Sequence, residues 1–424
     1  MNGRTVLRRL ALLSAAALVV GLALQAEAQT VKIRYMDWKL NDSKEILELY
    51  QALAKDFEAK NPDIKVELAP VQWEQRMQKM MTEIQAGLPP DVARVSVVDM
   101  GGLFPLLQRV DVPLKALGVY DEIMSTIPPK FVEDNVVRNG AVYGVPAYIT
   151  ADGLMYNKRM FKAAGLDPDK PPKTWAEFLD YAKKLTRPPE RYGYGMFGDK
   201  SGSTARRWLR VFWDAGCEFV SRDFKKAMLN SKPECIAAFK REIDYARVEK
   251  IVPPGATKAD FEFIITAFAQ ERIAMHMGGP NNAVIANGRN PGIIEHLALV
   301  PMPATGAALA GGDASVIPAG TKNVVQAAKW IAFINSRDVQ VKVGVVAKLG
   351  PSRNDARQAP EIQSDPFLSF RPPADALYAP YNTPKWGKLQ TVLYDIVQSA
   401  LLGDETPEEA LKSGEKKLNA ILAE

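Results

Sequence analysis

The stretch GYGMFGDKSG, residues 193–202, carries Gly193-x-Gly195-x-x-Gly198, the spacing of a dinucleotide-binding turn, and Asp214 follows at the distance where that fingerprint places an acid. A dinucleotide loop needs a strand ending at the first glycine and a helix starting near the third, so that the pyrophosphate sits on the helix N-terminus. Here Pro188-Pro189 lie just before the glycines, and a buried parallel strand rarely carries proline. Tyr194, Met196 and Phe197 sit between the glycines as if the motif were itself a strand. The next helical pattern begins only near Thr204, which puts Asp214 near the end of a helix rather than at a strand tip. A short strand, a loop over 199–203 and a helix carrying Trp208 are expected instead of an NAD site.

The N-terminal residues speak to the compartment. Arg4, Arg8 and Arg9 precede an apolar run from Leu10 to Leu24, and Ala26-Glu27-Ala28 follows as an A-x-A cleavage site. This is the grammar of a secretory signal peptide over residues 1–28, too short for a membrane span, and it predicts a soluble periplasmic protein. Removing it takes away three basic residues and one acid, lowering the formal net charge from +5 to +3. A near-neutral chain without a long basic block has no electrostatic footprint for nucleic acid. At 424 residues the chain exceeds what one core usually supports, so two lobes are expected. Cys217 and Cys235 either pair in an oxidising compartment or stay as two buried thiols; the hairpin-like segment between them would bring them close. His276 and His296 lie in different segments, no zinc or haem pattern is present, and no cofactor is expected.

The chain reads as strand–helix units. VKIRYM (31–36) alternates as a strand. Asp42 with Glu45 has capping-box spacing, and Ile46, Leu49, Tyr50, Leu53 and Phe57 recur at helical period up to Asn61-Pro62. IKVELAPV is a second strand, a helix follows from about Trp73, and DVARVSVV is a third strand. This alternation implies a parallel sheet with right-handed crossovers. Past Gly140 the pattern repeats with a helix over TWAEFLDYAKKL, capped by Thr174 and Glu177. No G-x-x-x-x-G-K-[ST], G-x-S-x-G or H-E-x-x-H motif occurs, and acid pairs such as Glu408-Glu409 read as solvated helix starts.

Several blocks together resemble the bacterial extracellular solute-binding proteins of the oligosaccharide-binding group, receptors of ABC importers. They are FEAKNPDIKVEL, IQAGLPPDVARV, the long block from Tyr143 to Thr186, FAQERIAMHMGGP, GGDASVIPAGTKNVVQAAKWIAFINS and LGPSRNDA, in family order across the chain. The resemblance implies an α/β, two-lobed periplasmic binding protein fold of type II-like form, each lobe a sheet flanked by helices, with the ligand in the cleft between. The expected division is an N-terminal lobe of 29–139 plus 281–335 and a C-terminal lobe of 140–280 plus 336–424. Hinges are expected near 138–146 and 278–282. It also implies a carbohydrate ligand, permease subunits in the inner membrane as partners, a monomer, and no catalysis.

Ligands of open α/β sheets sit beyond the carboxyl ends of strands. Trp38, Trp73 and Asp99 follow the first three strands and are candidate contacts; Trp73 reads equally as the first core residue of its helix. Tyr148 and Arg353 resemble cleft positions of the family, and Trp208 is a further candidate. Where many members carry tryptophan after M-x-x-G-P and after the Gly311-Gly312 pair, this chain has Asn281 and Asp313, and these two with Gly312 are further candidate contacts. Stacking platforms are thus replaced by hydrogen-bonding groups, which predicts a smaller or more polar ligand. A monosaccharide, a disaccharide or a small oligosaccharide is expected. Arg206, Arg207 and Arg353 leave an anionic sugar or glycerol phosphate-type ligand as an alternative, with Arg206 and Arg207 otherwise a solvated helix face. An exported carbohydrate-active enzyme is the alternative from another class.

Overall fold

The computed structural model describes residues 30–371, 376–379 and 381–424, so the expected signal peptide lies outside the described residues. Strand β1 (Val31–Asp37) leads through a short turn into α1 (Lys44–Lys60), β2 (Ile64–Pro70), α2 (Arg76–Gln85) and β3 (Val92–Ser96). Helix α1 starts where the Ser43 side chain accepts from the Ile46 N–H, and it buries Ile46, Tyr50, Leu53 and Phe57 along one face. The cap is Ser43, not Asp42, whose carboxylate is left free to turn elsewhere. β1 pairs in parallel with both β2 and β3, as the strand–helix alternation predicts.

The middle of the chain builds a second sheet. β4 (Gly144–Thr150) and β5 (Gly153–Asn157) are two residues apart, yet they belong to different sheets. After β6 (Tyr192–Gly195) come α3 (Gly202–Asp214), α4 (Phe261–Ala269), β7 (Ile273–Gly278), α5 (Asn281–Arg289), β8 (Leu297–Val300), β9 (Gly311–Pro318) and α6 (Arg337–Ala347). The first sheet runs β2-β1-β3-β9 to a short edge at Leu107–Gln108, with β4 also antiparallel to β9. The second runs β8-β5-β7-β6. Each sheet has its own core. Tyr35, Phe57 and Trp330 anchor the first, and Phe178, Phe212, Trp213 and Phe239 the second.

The expected boundaries move. Residues 144–150 lie in the first sheet. Residues 281–300 lie with the second: Ala283, Ala286, Leu297 and Leu299 pack with Ile264 and Phe268, and β8 pairs with β5. Val339, Val343 and Leu349 return to the first core. The chain therefore crosses between lobes over 150–153 and 300–311, not at the expected hinges, and once more between Leu349 and Tyr378 to reach the C-terminal helices of the second core. Arg138-Asn139-Gly140 is instead a tight hairpin turn between Val137–Arg138 and Ala141–Val142, with Asn139 and Gly140 both at positive φ. Such a turn demands these residue types for local reasons alone.

The glycine fingerprint of 193–198 is packing. β6 lies parallel beside β7. A Cβ on Gly193 would stand 2.2 Å from the Ala182 carbonyl oxygen, and one on Gly198 2.3 Å from that of Ala256. These glycines let neighbouring backbone approach, not a pyrophosphate. Cys217 and Cys235 form a disulfide that ties the end of α3 to the helix Pro233–Arg247. Among the described residues no helix is long and apolar enough to cross a membrane.

Candidate functional site

Between the two sheets lies a cleft enclosing about 610 Å³, including its open mouth. One wall is aromatic. Trp38, just after β1, and Trp73, just before α2, meet edge to face with centroids 5.0 Å apart. The Arg76 guanidinium stacks 3.4 Å over the Trp73 ring and 5.3 Å from Trp38. Its Nη2 donates to Asp99 at 2.6 Å, so both rings are held from behind by an ion pair.

The floor comes from β4 and β9, where Tyr148 stands directly opposite Asp313 and Gly312 lies alongside. The Tyr148 hydroxyl donates to Asp313 Oδ2. Burial raises the Asp313 carboxyl to a pKa of about 7, against the pull of Lys39 and Arg94. Beneath the floor Arg94 donates to Asp37 at 2.7 Å and to the Tyr50 hydroxyl at 2.6 Å, while Tyr35 donates to Asp37 at 2.6 Å. This buried network fixes the end of β1, and with it Trp38.

The opposite wall belongs to the second sheet. Ser203, Arg206 and Arg207 come from the first turns of α3, Phe261 from α4, and Asn281, Asn282 and Ile285 from α5; Thr150 ends β4 and Asp152 lies in the crossing segment. Arg206 donates to Asp152 at 2.5 Å. Burial opposes ionisation of Asp152, but Arg206 and Arg207 outweigh it and hold its carboxyl below the ordinary range. Arg207 is buried; it donates to the Met277 and Ser203 carbonyls and lies 3.7 Å over Phe197. Burial lowers its pKa to about 10. Across the cleft Asn281 Nδ2 approaches Asp42 Oδ2 at 3.4 Å, and Lys39 pairs with Asp42 at 2.9 Å.

Of the residues expected from sequence, Trp38, Trp73, Tyr148, Asn281, Gly312 and Asp313 line this cleft together. Three do not. Asp99 is spent on Arg76, one layer behind the rings. Trp208 is buried in the second core against Phe239, its indole N–H donating to the Phe197 carbonyl at 2.8 Å. Arg353 is held by Asp355 and Glu122 at 2.8 Å each, away from the cleft. Arg206 and Arg207 are not a solvated face, since both line the cleft. Sequence reasoning missed Lys39, Asp42, Thr150, Asp152, Ser203, Phe261, Asn282 and Ile285. Asp42 has the spacing of a helix cap, and Asp152 is a lone acid between two strands. An Asp-Gly pair between two strands was the available signal for the latter.

A family model of bacterial extracellular solute-binding proteins matches residues 41–341. An ABC transporter solute-binding protein from Thermotoga lettingae TMO, solved with α-D-tagatose bound, is 30% identical with a TM-score of 0.84, covering 93% of this chain and all of that one. MalE3 of T. maritima, solved with maltose, is 23% identical with a TM-score of 0.80, covering 92% of this chain and 100% of its own, a likeness of fold. The sn-glycerol-3-phosphate-binding periplasmic protein of Shigella dysenteriae serotype 1 (strain Sd197) is 31% identical over 221 residues, 50% of this chain and 47% of that one.

Proposed function

The chain belongs to the bacterial extracellular solute-binding proteins, and we propose a transport function for it. It is the substrate-binding component of an ABC importer. Exported to the periplasm, it captures a small neutral sugar as a monomer and delivers it to permease subunits in the inner membrane. One observation carries the sugar reading. Trp38 and Trp73 offer ring surface on one wall, and Asp152, Arg206, Asn281 and Asp313 offer hydrogen-bonding groups on the others. A sugar has the matching halves, an apolar C–H face and a rim of hydroxyls. Lys39 and Arg206 already hold carboxylates of their own, which favours a neutral ligand over an anion. The tagatose bound to the Thermotoga relative supports a monosaccharide-sized guest. Ligand shifts the lobes toward closure by its greater affinity for the closed form.

A second reading has its own observation. Among the described residues Arg207 lines the cleft without a carboxylate ion-pair partner, and one relative is named for binding sn-glycerol 3-phosphate. Titration calorimetry separates the two. Heat with D-tagatose, D-fructose or maltose and none with sn-glycerol 3-phosphate is the expected result; the reverse overturns the neutral-sugar reading. Turnover of glycosides by the purified protein would overturn the receptor reading altogether.

A further inference from the structure

The cleft contains polar atoms that the protein leaves without partners. Asp152 is 3% exposed, and its ion pair with Arg206 is made through one atom on each side, Oδ2 and Nη2. Asp152 Oδ1 and Arg206 Nε are both buried and accept or donate no hydrogen bond. A buried carboxylate oxygen without a donor costs free energy unless something else supplies one. The two atoms belong to one ion pair, the first an acceptor and the second a donor.

The surroundings of Asp152 Oδ1 say what is missing. Gly279 lies beneath it in the turn between β7 and α5. Around the point where a Cβ on Gly279 would stand, Asp152 Oδ1 lies at 3.2 Å, Thr150 Oγ1 at 3.3 Å and Asn281 Oδ1 at 3.6 Å. Asn281 presents its oxygen here because its Nδ2 is turned to Asp42 across the cleft. Three side-chain oxygens therefore gather over one bare Cα, and all three residues line the cleft.

We propose that the bare face of Gly279 is the seat of one ligand hydroxyl, which donates to Asp152 Oδ1 beside Thr150 and Asn281, while Arg206 Nε donates to the neighbouring hydroxyl. The site then selects a vicinal diol of defined position. This rests on the carbohydrate reading above and names the part of the sugar that reading leaves open. Thr150, at the end of β4, and Asp152, in the crossing segment, meet Gly279 and Asn281 here, so the crossing itself completes the seat.

The test is titration calorimetry with D-tagatose and D-fructose, followed by the monodeoxy forms of whichever hexose binds. Gly279→Ala would place its methyl among the three oxygens while meeting only side-chain ends at 3.2 Å or more. Its sugar-free melting temperature should hold, and its affinity should fall about tenfold or more. Thr150→Val should weaken binding in the same direction, and it decides the matter if Gly279→Ala melts early. One monodeoxy sugar should bind wild type about tenfold more weakly than its parent, yet bind Gly279→Ala no worse than the parent does. A Gly279→Ala protein that binds the hexose as tightly as wild type overturns the seat and leaves the sugar receptor standing. A wild-type protein that takes up neither hexose overturns the seat, and one that takes up no maltose either overturns the carbohydrate reading with it.

Discussion

Tyr148 and Asp313 face each other across the antiparallel pair of β4 and β9, and the tyrosine hydroxyl donates to a carboxyl that burial keeps protonated up to about pH 7. The folded pKa lies above the ordinary value of 3.8. The stability linked to this group is complete below about pH 4 and is lost as pH rises toward 7.

Asp313→Asn should erase that dependence. The stability of wild type relative to the variant is expected to fall by a few kcal/mol between pH 4 and pH 7. Urea unfolding of both proteins across this range measures it, and a constant difference would contradict the assignment.

The tryptophans should divide by position. Trp38→Ala and Trp73→Ala are each expected to weaken sugar binding by roughly tenfold through lost ring contact, with Trp73 the milder for folding because it is only half-buried. Trp208→Leu should cost about 3 kcal/mol of stability by opening a cavity in the second core, and leave the affinity of the folded protein unchanged. Calorimetry at a temperature where every variant is folded distinguishes the two behaviours.

Asp99→Asn should act at one remove. It leaves the Arg76 guanidinium without its carboxylate, beneath two aromatic rings. The expected cost is about 3 kcal/mol of stability with a smaller loss of affinity. Replacing Arg76 and Asp99 together by Leu and Asn should recover part of the stability but not the affinity. A single variant that binds and melts as wild type would show that the pair does not position the rings.

Reduction of the Cys217–Cys235 bridge, which spans 18 residues, should lower stability by about 3 kcal/mol through the entropy of the unfolded chain. Denaturant unfolding with and without reductant tests this, and sugar affinity serves as the control because the bridge lies away from the cleft lining.

Much of the architecture was legible in local pattern. The periodicity of Ile46, Tyr50, Leu53 and Phe57, the cap at Thr174 and the short strand at Tyr192–Gly195 each depend on a few neighbouring residues, and each appears where expected. The compositional shift from tryptophan to Asn281 and Asp313 likewise marked two residues that line the cleft. Sheet membership was not legible. Gly140 and the Gly279-Pro280 pair look like lobe boundaries because turns and crossings use the same residue types, and only long-range strand pairing tells them apart.

The sequence by itself determined the elements, the two-lobed family and the polar character of the cleft, because helical period, turn chemistry and residue type are properties of short segments. The tertiary structure alone decided that Asp99, Trp208 and Arg353 stand behind or away from the site, and that Asp42, Thr150, Asp152 and Arg206 stand in it. A carboxylate's role depends on which cation reaches it first. Arg76 reaches Asp99 across 23 positions of sequence and Arg206 reaches Asp152 across 54, distances that only folding closes.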